Sequence, residues 1–313
     1  MPIIDSFHSL FESTFLSIMQ RPSAMTNIWS CINPHFLIHL KQKKSLKITI
    51  IGCGWLGLPL GKELLKQGHS IAGSTQSNEK LKKLEKLGIS SFHYSLDENT
   101  EIPSEVCSST EILIITIPPL KREKDPKLYG GNLKKLVKQF TGVRRVIFTS
   151  SIGIYPQRST IYFEHFEFLE QEKNTVLFQA EHALTSLLKN KLIILRLGGL
   201  IGDGRHPVNY LQGRDDVENP FGLVNLIHQT DVIRCIQQCI ENADVYGIYN
   251  VVNPENPWRK EYYTKLYRQH GLKAINFVMS PTIERHIDTT KLRQELGFSF
   301  NHSIYDLSDC GLD

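Results

Sequence analysis

Gly52, Gly54 and Gly57 stand in the order Gly-Cys-Gly-Trp-Leu-Gly, directly after the apolar run LKITII at 46–51. That spacing suits one chemistry, the cradling of a diphosphate. The first glycine permits a tight turn off a strand, the second lets backbone approach the phosphates, and the third lets a helix pack close to the strand. The helix that follows presents free N–H groups and its positive dipole end to the anion. Gly52, Gly54, Trp55, Leu56 and Gly57 are therefore candidate cofactor-binding residues. A glycine triplet alone is a weak signal, and here its setting between a strand and a helix strengthens it.

The end of the next strand bears on the choice of cofactor. Enzymes that use NAD place a carboxylate there for the ribose 2′-hydroxyl. This chain has Gly73-Ser74-Thr75-Gln76-Ser77, and its first acid is Glu79. Hydroxyls without a carboxylate leave room for a 2′-phosphate, with Lys80 or Lys82 supplying charge. Ser74 and Thr75 are thus candidate ribose-end contacts, and NADP is expected over NAD. The competing reading is that both residues cap the following helix.

These motifs require a scaffold, and the rest of the pattern supplies one. Strand-like runs fall at 46–51, 69–73, 91–96, 112–117, 145–149 and 192–197, separated by helical patterns that include 80–87, 128–140 and 176–188. Strands alternating with single helices imply right-handed crossovers and a parallel sheet. The expected fold is α/β, a doubly wound parallel sheet of the Rossmann type with a smaller C-terminal lobe. The expected organisation has a dinucleotide-binding domain at 45–202 and a substrate lobe at 203–313, with about 224–252 returning to the first domain. Residues 1–44 read as a weakly ordered extension, with a docked helix or an upstream start before Met25 as the alternatives.

Composition narrows the class. The 313 residues are 41% hydrophobic and 22% charged, and the net charge is only +4, which favours a globular protein without a nucleic-acid partner. No apolar run reaches the ~18 residues of a membrane span. Six cysteines form no C-x-x-C pair, and no zinc set accompanies Cys235 and Cys239. Reduced, buried thiols in a cytoplasmic protein are expected, with no metal. The run Lys121-Arg122-Glu123-Lys124-Asp125 reads as a mobile, hydrated loop.

Five further segments carry a resemblance. They are TSSIGIY at 149–155, LRLGGLIGDG at 195–204, NLIHQTDV at 225–232, GIYNV at 247–251 and DTTKLRQELGF at 288–298. In type and order the chain resembles the extended short-chain dehydrogenases/reductases, the NAD-dependent epimerase/dehydratase group, across 46–300. The I-G-x-G-W-L-G opening and the G-x-G-R-H-P loop at 202–207 are most similar to its atypical YeeZ-like branch. The resemblance implies a cofactor-dependent oxidoreductase, epimerase or dehydratase acting on a small hydroxyl compound, a nucleotide sugar by analogy. It places Ser150 by the cofactor, Ser151 at the hydroxyl that holds the substrate oxygen, and Asp97 near the adenine.

One departure from the family stands out. Its active members pair a Tyr with a Lys four residues later, and none of the eleven tyrosines here has that partner. The two positions fall on about Lys173 and Leu177. Either another residue substitutes, with Tyr155 and Tyr162 the nearest phenols, or turnover has been lost and the chain is a cofactor-bound sensor or scaffold. Tyr155 also reads as an aromatic that closes the strand. Arg205 and His206 are candidate substrate contacts, because the loop after Gly204 should face the cleft and a guanidinium fork can grip phosphate or carboxylate. His228 and Asp231 are expected to organise a turn, with Asp231 near a helix N-cap.

Overall fold

The computed structural model describes residues 44–98, 100–119 and 125–311. The expectations for the first 43 residues and for Lys121–Lys124 fall outside that range. Near-continuous apolar runs give strands buried on both faces. The sheet holds β1 (Lys47–Ile51), β2 (Ser70–Thr75), β3 (Ser90–His93), β4 (Ile112–Ile115), β5 (Arg145–Ser151), β7 (Leu192–Leu197) and β10 (Gly247–Val251), of which the edge strand β3 is polar and keeps Ser90 and His93 exposed. All pair in parallel in the order β10-β7-β5-β4-β1-β2-β3. The order reverses direction between β1 and β4. Doubly wound sheets bind ligands at such a switch point, outside the carboxyl ends of the strands.

Alternation along the strands builds two cores. Ile48 and Ile50 join Leu60, Leu64, Ile114 and Ile147 on one face, packed with α1 (Gly57–Lys66) and α7 (Gln229–Glu241). Ile51, Leu113 and Ile115 join Leu133, Leu136 and Phe148 on the other, packed with α4 (Pro126–Lys138) and α5 (Val176–Leu188). A third cluster unites Ile201, Val208 and Val217 with Tyr262, Leu266, Ile304 and Leu307. A fourth gathers Ile154, Tyr155, Tyr162, Val252 and Ile287 beyond the end of β5.

Several boundaries differ from the sequence expectation. β2 continues to Thr75, so Ser74 and Thr75 lie in the strand and neither caps the next helix. That role falls to Ser77, whose Oγ accepts from Lys80 N at the start of α2 (Asn78–Lys86). β5 extends through Ser151. Asp125, expected in a hydrated loop, caps α4 by accepting from Lys127 N at 2.9 Å. Four three-residue strands escaped sequence reading: β8 (Gly199–Ile201) with β9 (Leu226–His228), and β6 (Thr160–Tyr162) with β11 (Arg285–Ile287). Among the described residues no helix is long and apolar enough to cross a membrane.

Candidate functional site

The three glycines at the end of β1 answer to three different constraints. Gly52 adopts φ +103°, and a Cβ there would lie 2.9 Å from Ile117 Cγ1. A Cβ on Gly57 would lie 2.3 Å from Gly52 O, so only glycine lets α1 approach the strand. A Cβ on Gly54 would meet nothing within 4 Å. Nothing in the protein itself demands a glycine at 54, which leaves the space in front of it open to a ligand. Neighbouring polar groups lock the loop. Ser74 Oγ accepts from Gly52 N at 2.9 Å, and Thr116 Oγ1 donates to Gly52 O at 2.7 Å. Cys53 fills the space behind the loop, and burial pushes its thiol up to about 12, so it is inert packing.

At the start of α1, Leu56 occupies the cap position and offers no side-chain acceptor, and the first turn holds no acid. An incoming anion therefore meets no competing carboxylate in the first turn of this helix. Above it lies a cleft of about 580 Å³. Thr116, Ile117, Pro118 and Pro119 form one wall, where Tyr129 Oη donates to Ile117 O at 2.6 Å. Thr75, Gln76, Ser77 and Lys80 line the far end, with Asp97 across from them. Among the described residues Lys80 is the cation of that lining. The residues present thus fit a dinucleotide: a glycine loop open at Gly54, hydroxyls, one cation and one carboxylate line the cleft.

Not every candidate reaches the cleft with its side chain. Ser74 is 1% exposed, its Oγ turned onto Gly52 N, so Thr75, half-buried and accepting from Ser77 N at 3.3 Å, is better placed for the ribose end. Ser150 is buried and donates to Glu181 Oε1 at 2.6 Å, which directs it inward. Ser151 is half-buried, and its Oγ accepts from Gly153 N at 3.0 Å, leaving the hydroxyl proton available to a ligand.

Tyr155 is a correction to the candidate list. Its ring is buried, stacked on Tyr162 at 4.7 Å. Its hydroxyl accepts from Arg196 Nη1 and donates to Asn250 Oδ1, both at 2.7 Å. Burial raises its pKa above the ordinary phenol value despite the Arg196 charge. The phenol closes an internal network and is not a free acid. Arg196 completes that network with two donor groups on Glu181, the shortest contact being 2.8 Å. Breaking a buried pair of this kind costs about 3–5 kcal/mol. The sequence did carry a signal for it, since an arginine inside the apolar run LIILRL demands a buried carboxylate. Lys173 and Leu177, at the positions of the missing pair, do other work: Lys173 bonds Glu170 at 2.6 Å, and Leu177 packs in the fourth cluster.

The two loop candidates part company. Arg205 is exposed, its guanidinium carbon 5.2 Å from the Trp55 ring centroid. His206 turns inward and is 1% exposed. Its Nδ1 accepts from Val208 N at 3.1 Å, and its Nε2 meets Tyr262 Oη at 2.9 Å. Because Tyr262 Oη donates to Ile304 O, the network assigns the imidazole proton to Nε2. Burial, with a smaller contribution from His270, pushes the pKa of His206 down to about 4. It is a buried, neutral helix cap and not the exposed contact expected from the sequence. His228 caps α7 and meets Asp309 Oδ2 at 3.0 Å. Asp231 lies within the first turn, where it is fully buried, pairs with Arg234, and accepts from Asn301 N and His302 N.

Known proteins resemble this chain at three levels. The family model described as "NADP oxidoreductase coenzyme F420-dependent" matches residues 47–135, the glycine loop and its surroundings. Protein YeeZ of Escherichia coli K12 is 30% identical over 269 residues, 82% of this chain and 96% of that protein. Among solved structures, UDP-glucuronic acid 4-epimerase from Bacillus cereus, in complex with NAD, superposes with a TM-score of 0.68 at 18% identity. It covers 85% of this chain and 97% of the epimerase. dTDP-glucose 4,6-dehydratase from Bacillus anthracis, also with NAD, gives 0.65 at 13% identity, over 86% and 96%. At those identities the structural likeness speaks for the fold.

Proposed function

The chain belongs to the YeeZ family, and from that premise we propose that it is an NADP-dependent oxidoreductase, or an epimerase or dehydratase that uses NADP internally. The observation that carries the reading is Gly54, with open space in front of it at the start of a helix whose first turn holds no acid. Trp55, Leu56 and Gly57 would hold the diphosphate through their N–H groups, and Thr75 and Lys80 would receive a 2′-phosphate. A bound nicotinamide supplies hydride acceptance and donation. NAD remains the alternative cofactor, as in the solved epimerase and dehydratase.

The substrate belongs between the carboxyl end of β5 and the segments after residue 202, which we assign to a substrate lobe. Ser151 is the residue placed to touch it. Its oxygen is fixed by Gly153 N–H, so its proton can be donated to a substrate oxygen. Nucleotide sugars are the first class to try, because the epimerase and the dehydratase named above are enzymes of that class.

A second reading is binding without turnover. The sequestration of Tyr155 supports it, together with the absence of a Tyr with Lys four residues on. Titration calorimetry with NADP and NAD, followed by turnover assays on nucleotide sugars, separates the readings. NADP should bind more tightly, and Ser151→Ala should lower any turnover by ~10²-fold with binding intact. Binding without turnover across that class would favour the second reading. Failure to bind either dinucleotide would refute both.

A further inference from the structure

Arg205 is the feature that the reading above leaves without a task. It is exposed, and among the described residues its guanidinium has no carboxylate or hydrogen-bond partner; its one contact is the face of Trp55. Trp55 is itself the residue between Gly54 and Leu56 in the phosphate-cradling loop. The backbone that carries Arg205 is held firmly. Gly202 N donates to Arg205 O at 2.9 Å, and Arg205 N returns the bond to Gly202 O at 3.0 Å. Gly204 N donates to Asp309 O at 2.7 Å, and the next side chain, His206, is buried. The same turn is fastened to the glycine loop, because Trp55 Nε1 donates to Asp203 O at 3.1 Å. Gln229 Nε2 holds the Trp55 carbonyl at 2.7 Å. A long, unpaired cation is thus anchored over the glycine loop, resting on the residue that follows Gly54.

We propose that Arg205 is a diphosphate clamp: when the dinucleotide binds, its guanidinium leaves the Trp55 ring and grips the phosphates opposite the N-terminus of α1. This rests on the dinucleotide reading of the cleft. A diphosphate carries charge that the helix end neutralises only in part, and a guanidinium fork offers two parallel charge-assisted donors to phosphate oxygens. Arg205 serves the cofactor, and not a phosphate of the substrate, because its resting partner belongs to the cofactor loop itself. The turn at 202–205 becomes the second jaw of the site.

The test uses the full chain and two probes, NADP and adenosine 2′-phosphate, which shares the adenosine end and lacks the diphosphate. Arg205→Met keeps an apolar arm on Trp55 and removes the fork. It should weaken NADP about 10- to 100-fold, as loss of a hydrogen bond to a charged group does, and leave adenosine 2′-phosphate unchanged. Arg205→Lys should recover part of the loss. Equal weakening of both probes would mean that Arg205 merely supports the loop, and would overturn the clamp. So would unchanged NADP affinity, including the case in which only the KM of a phosphate-bearing substrate rises. Wild-type protein that binds neither probe nor NAD would bring down the cleft reading and the clamp together, an outcome distinct from failure of the variant alone.

Discussion

Replacing Gly54 by Val should abolish cofactor binding and leave the fold intact. No heavy atom lies within 4 Å of the position a Cβ would take, and Gly54 is not among the left-handed residues, so the branched side chain enters free space without backbone strain. The stability change should stay within about 1 kcal/mol, as for exposed positions. The side chain then occupies the volume the diphosphate needs. A hydrogen bond to a charged group is worth about 1.5–3 kcal/mol, so losing two N–H contacts costs ~3–6 kcal/mol, or roughly 10²- to 10⁴-fold in affinity. Gly57→Ala is the paired control with the opposite expectation. Its Cβ would sit 2.3 Å from Gly52 O, and backbone must move. Overpacking of that kind costs about 1–3 kcal/mol, which lowers Tm by roughly 2–12 °C in a domain of this size. Circular dichroism and thermal melts report the fold, and calorimetry with NADP and NAD reports the site. Wild-type affinity in a folded Gly54→Val protein would refute the argument, and an unshifted Tm in Gly57→Ala would refute its steric half.

Cofactor choice should be governed at Thr75 and not at Ser74, because Ser74 is committed to Gly52 N. Thr75→Asp should weaken NADP and strengthen NAD, measured as the ratio of the two dissociation constants; an unchanged ratio would show that the 2′ position lies elsewhere. His206 sets a pH dependence of stability. Its pKa falls from 6.5 to about 4 on folding, so the unfolded chain takes up the proton first as pH drops. Its contribution is fully present above pH 6.5 and is lost as pH falls toward about 4, by ~3 kcal/mol in all. Denaturant unfolding at pH 7 and pH 4.5 should display that loss, and His206→Asn, which keeps a cap acceptor, should remove most of it.

What could be read in the sequence was whatever depends on neighbours along the chain. The runs LKITII, ILIITI and LIILRL are strands buried on both faces, and their near-continuous apolar character announces this without tertiary knowledge. The glycine spacing is local too, since Gly52 and Gly57 constrain each other across one turn. Side-chain direction at the strand ends was not local. Ser74 and Thr75 look equivalent as hydroxyls, and folding separates them, turning Ser74 onto Gly52, 22 residues away, and leaving Thr75 half-buried beside Ser77. Tyr155 follows the strand as a catalytic phenol might, yet its partners lie 41 and 95 residues distant, at Arg196 and Asn250. His206 is turned inward by Tyr262, 56 residues on. The three-residue pairs β8–β9 and β6–β11 are too short to show any period.

The way the chain closes on itself bears on how it is made. Asp231 receives the backbone of Asn301 and His302, Gly204 donates to Asp309, and Tyr262 is bonded to Ile304. The turn at 202–205, held against the glycine loop, therefore acquires its support from Asp309 only when that segment arrives. Domains emerge from the ribosome N-terminal end first. The parallel sheet can assemble its early strands before the turn at 202–205 is fastened. Contacts of such long sequence separation also slow folding, because the loop between them must close before they form. A chain that stops short of residue 309 would carry a complete β1–α1 glycine loop and lack the Asp309 contact that holds the turn at 202–205. The order of that turn then depends on whether synthesis has passed residue 309.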